Sequence, residues 1–204
     1  MEEVKNFKRQ QLFDHYNSCE NPNLIVTIEF DVTKVVEYCK MYKYFYATFG
    51  YLITKTVNDI SEFKYRYIDG KIYYFDRVKS NYTQMKENET IGFYSIPDIE
   101  NYDEYIKKYR EIELDFKNGK ENGLDIIQDE VWFSCLPWFS FNSLVTPIRK
   151  DITIPQFVWG KYEQRKGKYY MNLMIMAHHG FVDGYHIGKF VDKLNENIKS
   201  FNGK

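Results

Sequence analysis

The segment Met176-Ala177-His178-His179-Gly180-Phe181-Val182-Asp183-Gly184 holds two of the chain's four histidines, followed within a few residues by an aspartate and a glycine. Imidazole is the side chain best matched to taking and returning a proton near neutral pH. Asp183 is close enough in sequence to order the loop that carries the histidines, and Gly184 is expected to permit a backbone turn that a larger residue resists. The apolar run before the pair stops at His178. A strand end feeding a loop is where a rigid scaffold can hold a side chain over a cleft. Two plainer readings stand beside this one. A histidine is often merely a partly buried core or surface residue, and a histidine pair invites a metal ion. Adjacent strand residues point to opposite faces, however, so His178 and His179 do not readily ligate one ion together, and no Cys-x-x-Cys or His-Glu-x-x-His pattern supports them. No metal site is expected.

The elements that must position these residues follow from hydrophobic spacing. Residues 6–18 predict a short amphipathic helix carrying Phe7, Leu12, Phe13 and Tyr16. Leu24 to Asp31 alternates and is rich in β-branched residues, predicting a strand, with a short helix from Val32 to Lys40 after it. Phe45 to Ile60 predicts a well-buried helix with Phe49, Leu52, Ile53 and Val57 on one stripe. Asp69-Gly70, between Phe63–Ile68 and Lys71–Phe75, tolerates positive φ and predicts a tight hairpin. Further strands are predicted at Tyr82–Met85 and Ile91–Ser95, and a helix over Asn101–Phe116. Ile154–Tyr162 and Tyr169–His178 read as strands joined by the charged turn Gln164-Arg165-Lys166-Gly167, the second of them apolar on both faces and therefore central. A closing helix over His186–Lys199 completes the chain. The pattern is α+β with a mixed or mostly antiparallel sheet, lacking the regular βαβ alternation of a doubly wound fold.

Composition narrows the class. The 28 Lys and Arg nearly balance the 29 Asp and Glu, leaving no electrostatic footprint for nucleic acid. Aromatic residues reach 19%, with 19 Tyr and 16 Phe, which suits half-buried strands and subunit interfaces, or reflects nucleotide bias alone. Cys19, Cys39 and Cys135 are an odd number without close spacing, pointing to a reducing cytoplasm. No secretory signal precedes the first elements and no apolar stretch is long enough to cross a bilayer, so a cytoplasmic protein with no membrane partner is expected. The length suits one domain over residues 1–204.

His-His-x-x-x-Asp-Gly near the C-terminus, followed at once by a helix, resembles the active-site signature of the chloramphenicol acetyltransferases. A varied form of it marks dihydrolipoyl acyltransferases and peptide-synthetase condensation domains, so the motif alone implies acyl transfer. Tyr185-His186-Ile187-Gly188-Lys189-Phe190 and Pro137-Trp138-Phe139-Ser140-Phe141-Asn142-Ser143 also resemble segments of that family in the right order. The resemblance covers essentially the whole chain.

That resemblance implies a two-layer α+β sandwich, with a mixed sheet and helices packed on one side, assembled as a homotrimer in which the base of one subunit faces the acceptor pocket of its neighbour. It implies acetyl-CoA as co-substrate, a small-molecule hydroxyl acceptor such as the 3-hydroxyl of chloramphenicol, and no metal. His179 corresponds to the general base and Ser143 to the serine that donates to the tetrahedral oxyanion; read from its surroundings alone, Ser143 is a strand serine in a polar register. Asp183 corresponds to the aspartate that pairs with an arginine, here Arg9 of Phe7-Lys8-Arg9, a buried pair that orients the loop. Without the resemblance Arg9 reads as a solvated helix residue. Tyr16 corresponds to an acceptor-pocket tyrosine, with a core aromatic as its alternative. Lys161 and Tyr162 correspond to residues near CoA, where a lysine can hold phosphate as a point charge. The acceptor side departs from the family's pattern at Phe7, Leu12-Phe13, Asn21-Pro22, Thr83-Gln84-Met85-Lys86, Met176-Ala177 and Val158. Acyl transfer to another hydroxylated acceptor, and a catalytically idle binding homologue, therefore stand as alternative readings.

Overall fold

The computed structural model describes every residue except Ile148 and Lys204. In chain order the elements are β1 (Glu2–Glu3), α1 (Gln10–Asn17), β2 (Asn23–Asp31), α2 (Thr33–Tyr42), α3 (Phe45–Asn58), a 3-10 turn (Ser61–Lys64), β3 (Tyr65–Ile68), β4 (Lys71–Tyr74), β5 (Lys79–Met85) and β6 (Ile91–Ile96). They continue as α4 (Tyr102–Lys117), β7 (Glu130–Leu136), β8 (Gln156–Gly160), β9 (Glu163–Arg165), β10 (Lys168–His178) and α5 (Gly184–Ser200).

The main sheet runs β2-β10-β8-β7-β5-β6, with β9 also on β10. The β8–β7 and β7–β5 pairs are parallel and the others antiparallel, so the sheet is mixed. A small second sheet, β1-β4-β3, carries the predicted hairpin, whose Asp69 and Gly70 both take positive φ. β10 is paired along both sides, with His178 opposite Asn23 of β2 and Met176 opposite Gln156 of β8. Its residues alternate between two apolar environments, which explains why it is apolar on both faces. Met171, Leu173, Ile175 and Ala177 join the main core with the helices, whereas Met174 and Met176 join Val158 in a smaller cluster on the other face. No helix residue belongs to that second cluster among the described residues, so the helices pack on one side.

α3 lies at the centre of the helical layer, touching α2, α4 and α5, and ten of its residues are buried. The layer between α3, α4 and the sheet is tied by tyrosine hydroxyls: Tyr82 to Tyr105 at 2.6 Å, Tyr94 to Tyr109 at 3.0 Å and Tyr102 to Thr48 at 2.8 Å. Much of the aromatic excess is thus core that satisfies its own polar tips. The described residues between β7 and β8 form no helix or strand, and Phe141 and Leu144 among them pack against the cluster on the helix-free face. Ser143 therefore stands exposed in a loop and is not a strand residue.

Candidate active site

β10 ends at His178 and the chain turns sharply, with the N–H groups of Phe181 and Val182 both donating to the His178 carbonyl at 2.9 and 3.0 Å. This turn separates the two histidines. The His178 ring is buried, stacked on Phe13 at 5.1 Å and beside Phe181 at 5.2 Å, and its Nδ1 accepts the Gly180 N–H at 3.1 Å. Burial, with the charge of neighbouring His179, pulls its pKa down to about 4, so it is neutral near pH 7. The His179 ring lies flat on Tyr16 of α1, centroids 3.9 Å apart and planes within 8°. Its main-chain N–H donates to Pro22 O at 2.8 Å, and its Nδ1 is buried without a partner among the described residues. Nε2 is left as the nitrogen able to meet an incoming hydroxyl. Tyr16 is half-buried and belongs to neither apolar cluster.

The turn needs a glycine, but not the one expected. Gly184 has ordinary φ and open space around its Cα, so the turn places no demand on it. At Gly180 a Cβ would lie 2.8 Å from Phe13 Cα and 3.0 Å from His178 Cε1, because α1 crosses directly over the turn. Only a bare Cα allows that approach.

Asp183 is the N-cap of α5: its Oδ1 accepts from the N–H groups of Tyr185 and His186, and its own N–H donates back to His186 Nδ1 at 3.1 Å. This is a capping box with histidine in the place usually held by Glu or Gln. Arg9 Nη1 lies 2.9 Å from Asp183 Oδ2 and 3.2 Å from His186 Nδ1, and His186 Nε2 lies 3.5 Å from Glu62 Oε1. Burial works against ionisation of Asp183, but His186, Arg9 and the two capping N–H groups outweigh it and hold its carboxyl below the usual range. Arg9 thus sits over the turn, its Nε and Nη2 buried. The pair is half-buried: a third of the Asp183 side chain is exposed, which lowers its energetic weight below that of a buried pair. In the sequence His186 stands only as the first residue of a helix and as part of the family-like segment Tyr185–Phe190. The signal for it was Asp-x-x-His at N-cap and N3 spacing.

The remaining site residues lie elsewhere. A cleft of about 500 Å³ opens on the helix-free face, lined by Thr83 and Val158 together with Asn81, Phe93, Trp132 and Ser134 among others. Val158 is one of the positions at which the acceptor side departs from the family's pattern, and Thr83 opens the segment Thr83-Gln84-Met85-Lys86 that contains others. Neither His179 nor Tyr16 lines this cleft. Lys161 is exposed, its N–H donating to Phe139 O at 2.9 Å, and Tyr162 packs against Phe45 and Tyr169. Among the described residues, no cluster of three or more His, Cys, Asp or Glu could hold a metal ion, and no helix is long and apolar enough to cross a membrane.

Comparison with known proteins matches the profile of the chloramphenicol acetyltransferase family to residues 2–195. The chain is 29% identical over 202 residues to the chloramphenicol acetyltransferase of Campylobacter coli, covering 95% of both chains. It is 30% identical over 204 residues to one from Clostridium perfringens, again covering 95% of each. A solved chloramphenicol acetyltransferase superimposes with a TM-score of 0.84 at 23% identity, covering 95% of this chain and 96% of the other, and shares its fold. With a profile match over nearly its whole length, the chain belongs to the chloramphenicol acetyltransferase family.

Proposed function

We propose that this single-domain chain transfers the acetyl group of acetyl-CoA to a hydroxyl of a small molecule, with the 3-hydroxyl of chloramphenicol as acceptor, as its family membership implies. The observation that carries the mechanism is His179 itself: an imidazole clamped flat on Tyr16, one nitrogen closed off, in a turn held by the Asp183 cap. Nε2 takes the acceptor's hydroxyl proton as the oxygen attacks the thioester carbonyl carbon. The oxyanion that forms accepts a hydrogen bond from Ser143 Oγ, and its collapse breaks the carbon–sulfur bond. The CoA thiolate recovers the proton from His179, giving an acetyl ester and free thiol.

The base and the cleft do not meet within one chain, and this supports a homotrimer in which His179 of one subunit faces the cleft of the next. Exposed Leu124, Ile126, Val145 and Trp138 are suited to cover such an interface. Lys161 and Tyr162 are assigned to CoA, Tyr16 to the acceptor side, and the cytoplasm to the protein as the compartment that supplies acetyl-CoA. No metal takes part in these steps. A different hydroxylated acceptor is the second reading, favoured by the apolar Val158 on the cleft wall.

Thiol release from acetyl-CoA, followed with a thiol reagent with and without chloramphenicol, tests the proposal. Drug-dependent release that disappears in His179→Ala is the expected result. Release with other alcohols but not with chloramphenicol would move the proposal to the second reading.

A further inference from the structure

Beneath the cleft on the helix-free face lies a buried carboxylate whose oxygens are taken by neutral donors. Glu130 accepts from Asn81 Nδ2 at 2.9 Å, from Trp132 Nε1 at 3.2 Å and from the Ser95 hydroxyl. Burial raises its pKa, against the lowering effect of these hydrogen bonds and of Lys79.

Asn81 Nδ2 also donates to Gly123 O at 2.9 Å. Its two amide hydrogens are therefore committed to a carboxylate and a carbonyl, groups that in these forms only accept, and this fixes which end of the amide is which. Asn81 is 4% exposed and lines the cleft, and no donor of the described residues takes its Oδ1. The other polar lining groups are less selective. Thr83 and Ser134 carry hydroxyls that donate as readily as they accept. Gln156 Oε1 already takes the Thr146 hydroxyl at 2.9 Å, Arg149 is held by Asp151, and Asp125 is exposed to water. Asn81 Oδ1 is thus an acceptor without a donor among the described residues, carried by a nearly buried side chain of β5 on the wall of a mostly apolar cleft.

We propose that Asn81 is a specificity-determining residue of the acceptor pocket, its Oδ1 taking a hydrogen bond from an N–H or O–H of the bound acceptor while Glu130 acts as the positioning residue that holds the amide in that orientation. This rests on the reading of the cleft as the acceptor site. A ligand lacking the donor leaves a buried acceptor unpaired, which weakens binding by about 10- to 100-fold.

The test is calorimetric binding to the intact protein of chloramphenicol and of three analogues, each lacking one donor: the N-methyl amide and the two deoxy alcohols. Wild type is expected to bind one analogue about 10- to 100-fold more weakly than the parent, and Asn81→Leu to bind that pair alike. Glu130→Gln, whose carboxamide can hold either end of Asn81, is expected to shrink the same ratio, and it carries the test if Asn81→Leu does not fold. A wild type indifferent to every donor deletion, a wild type that binds none of the four, or variants that keep the full wild-type preference would each overturn the proposal. Thiol release measured alongside separates the two claims. Turnover without donor discrimination removes only the role of Asn81, whereas donor-selective binding without turnover keeps the hydrogen bond and removes the reaction.

Discussion

His178 and His179 are joined by one peptide bond, yet they occupy different media. The first is sealed among Phe13 and Phe181 and is kept neutral by burial, its pKa near 4. The second is half-buried and supported on one face by Tyr16. The difference arises where β10 stops: one residue completes the strand and faces the packed start of the chain, and the next follows the turn outward. Adjacent side chains of one type can thus be divided into a sealed group and a more accessible one by a single change of backbone direction. Proton transfer needs a group whose two charge states are both accessible, and desolvation has removed that property from His178.

The largest effect that sharpens this division is on turnover. His179→Ala should lower kcat by about 10²- to 10⁴-fold with little change in melting temperature, while His178→Asn, whose Oδ1 can replace Nδ1 as acceptor, should stay within about tenfold of wild type. Steady-state kinetics on the two variants, with the opposite ranking, would break the assignment.

The complementary effect is on stability. Because the folded pKa of His178 lies below its ordinary 6.5, the stability it contributes is complete above about pH 6.5 and is lost as pH falls toward about 4. The full loss is about 3 kcal/mol, and unfolding in urea across that range should show a slope that His178→Asn flattens. Gly180→Ala forces a Cβ against Phe13 and His178 and should cost about 1–3 kcal/mol, a drop of about 2–4 °C in Tm for each kcal/mol at this chain length. A melting curve matching wild type would mean that α1 does not press on the turn.

The smallest effect belongs to Asp183→Asn. Asparagine still caps α5, so the loss is confined to the half-exposed pair with Arg9 and should be about 1 kcal/mol, with a parallel fall in rate. Since the Asp183 carboxyl is held below its ordinary range, this contribution is present above the unfolded carboxylate pKa and disappears as pH drops through the folded value. An unchanged Tm in the variant would detach the pair from the ordering of the loop.

Much of the scaffold was legible in local pattern. Leu24–Asp31, the Asp69-Gly70 hairpin and the buried helix from Phe45 were all legible because each rests on neighbours in sequence. The both-face apolarity of β10 announced its pairing on two sides. Boundaries slipped where packing decided them: β8 closes at Gly160, and Glu163–Arg165 forms a separate short strand where a turn was expected. The glycine that matters is Gly180, and nothing within several residues of it distinguishes it from Gly184, since its constraint comes from Phe13 on a helix far back in the chain. His186 was visible only as a helix residue until Arg9 and Glu62 came to rest beside it.

By itself the sequence determined the family and most of the helix and strand content, because these depend on residue type and short-range spacing. Tertiary structure alone decided which histidine is dehydrated, which glycine is indispensable and that Glu130 would fasten Asn81 from 49 residues away. Those are properties of juxtaposed surfaces, and a surface's dielectric, clearance and hydrogen-bond partners exist only once distant segments have been packed together.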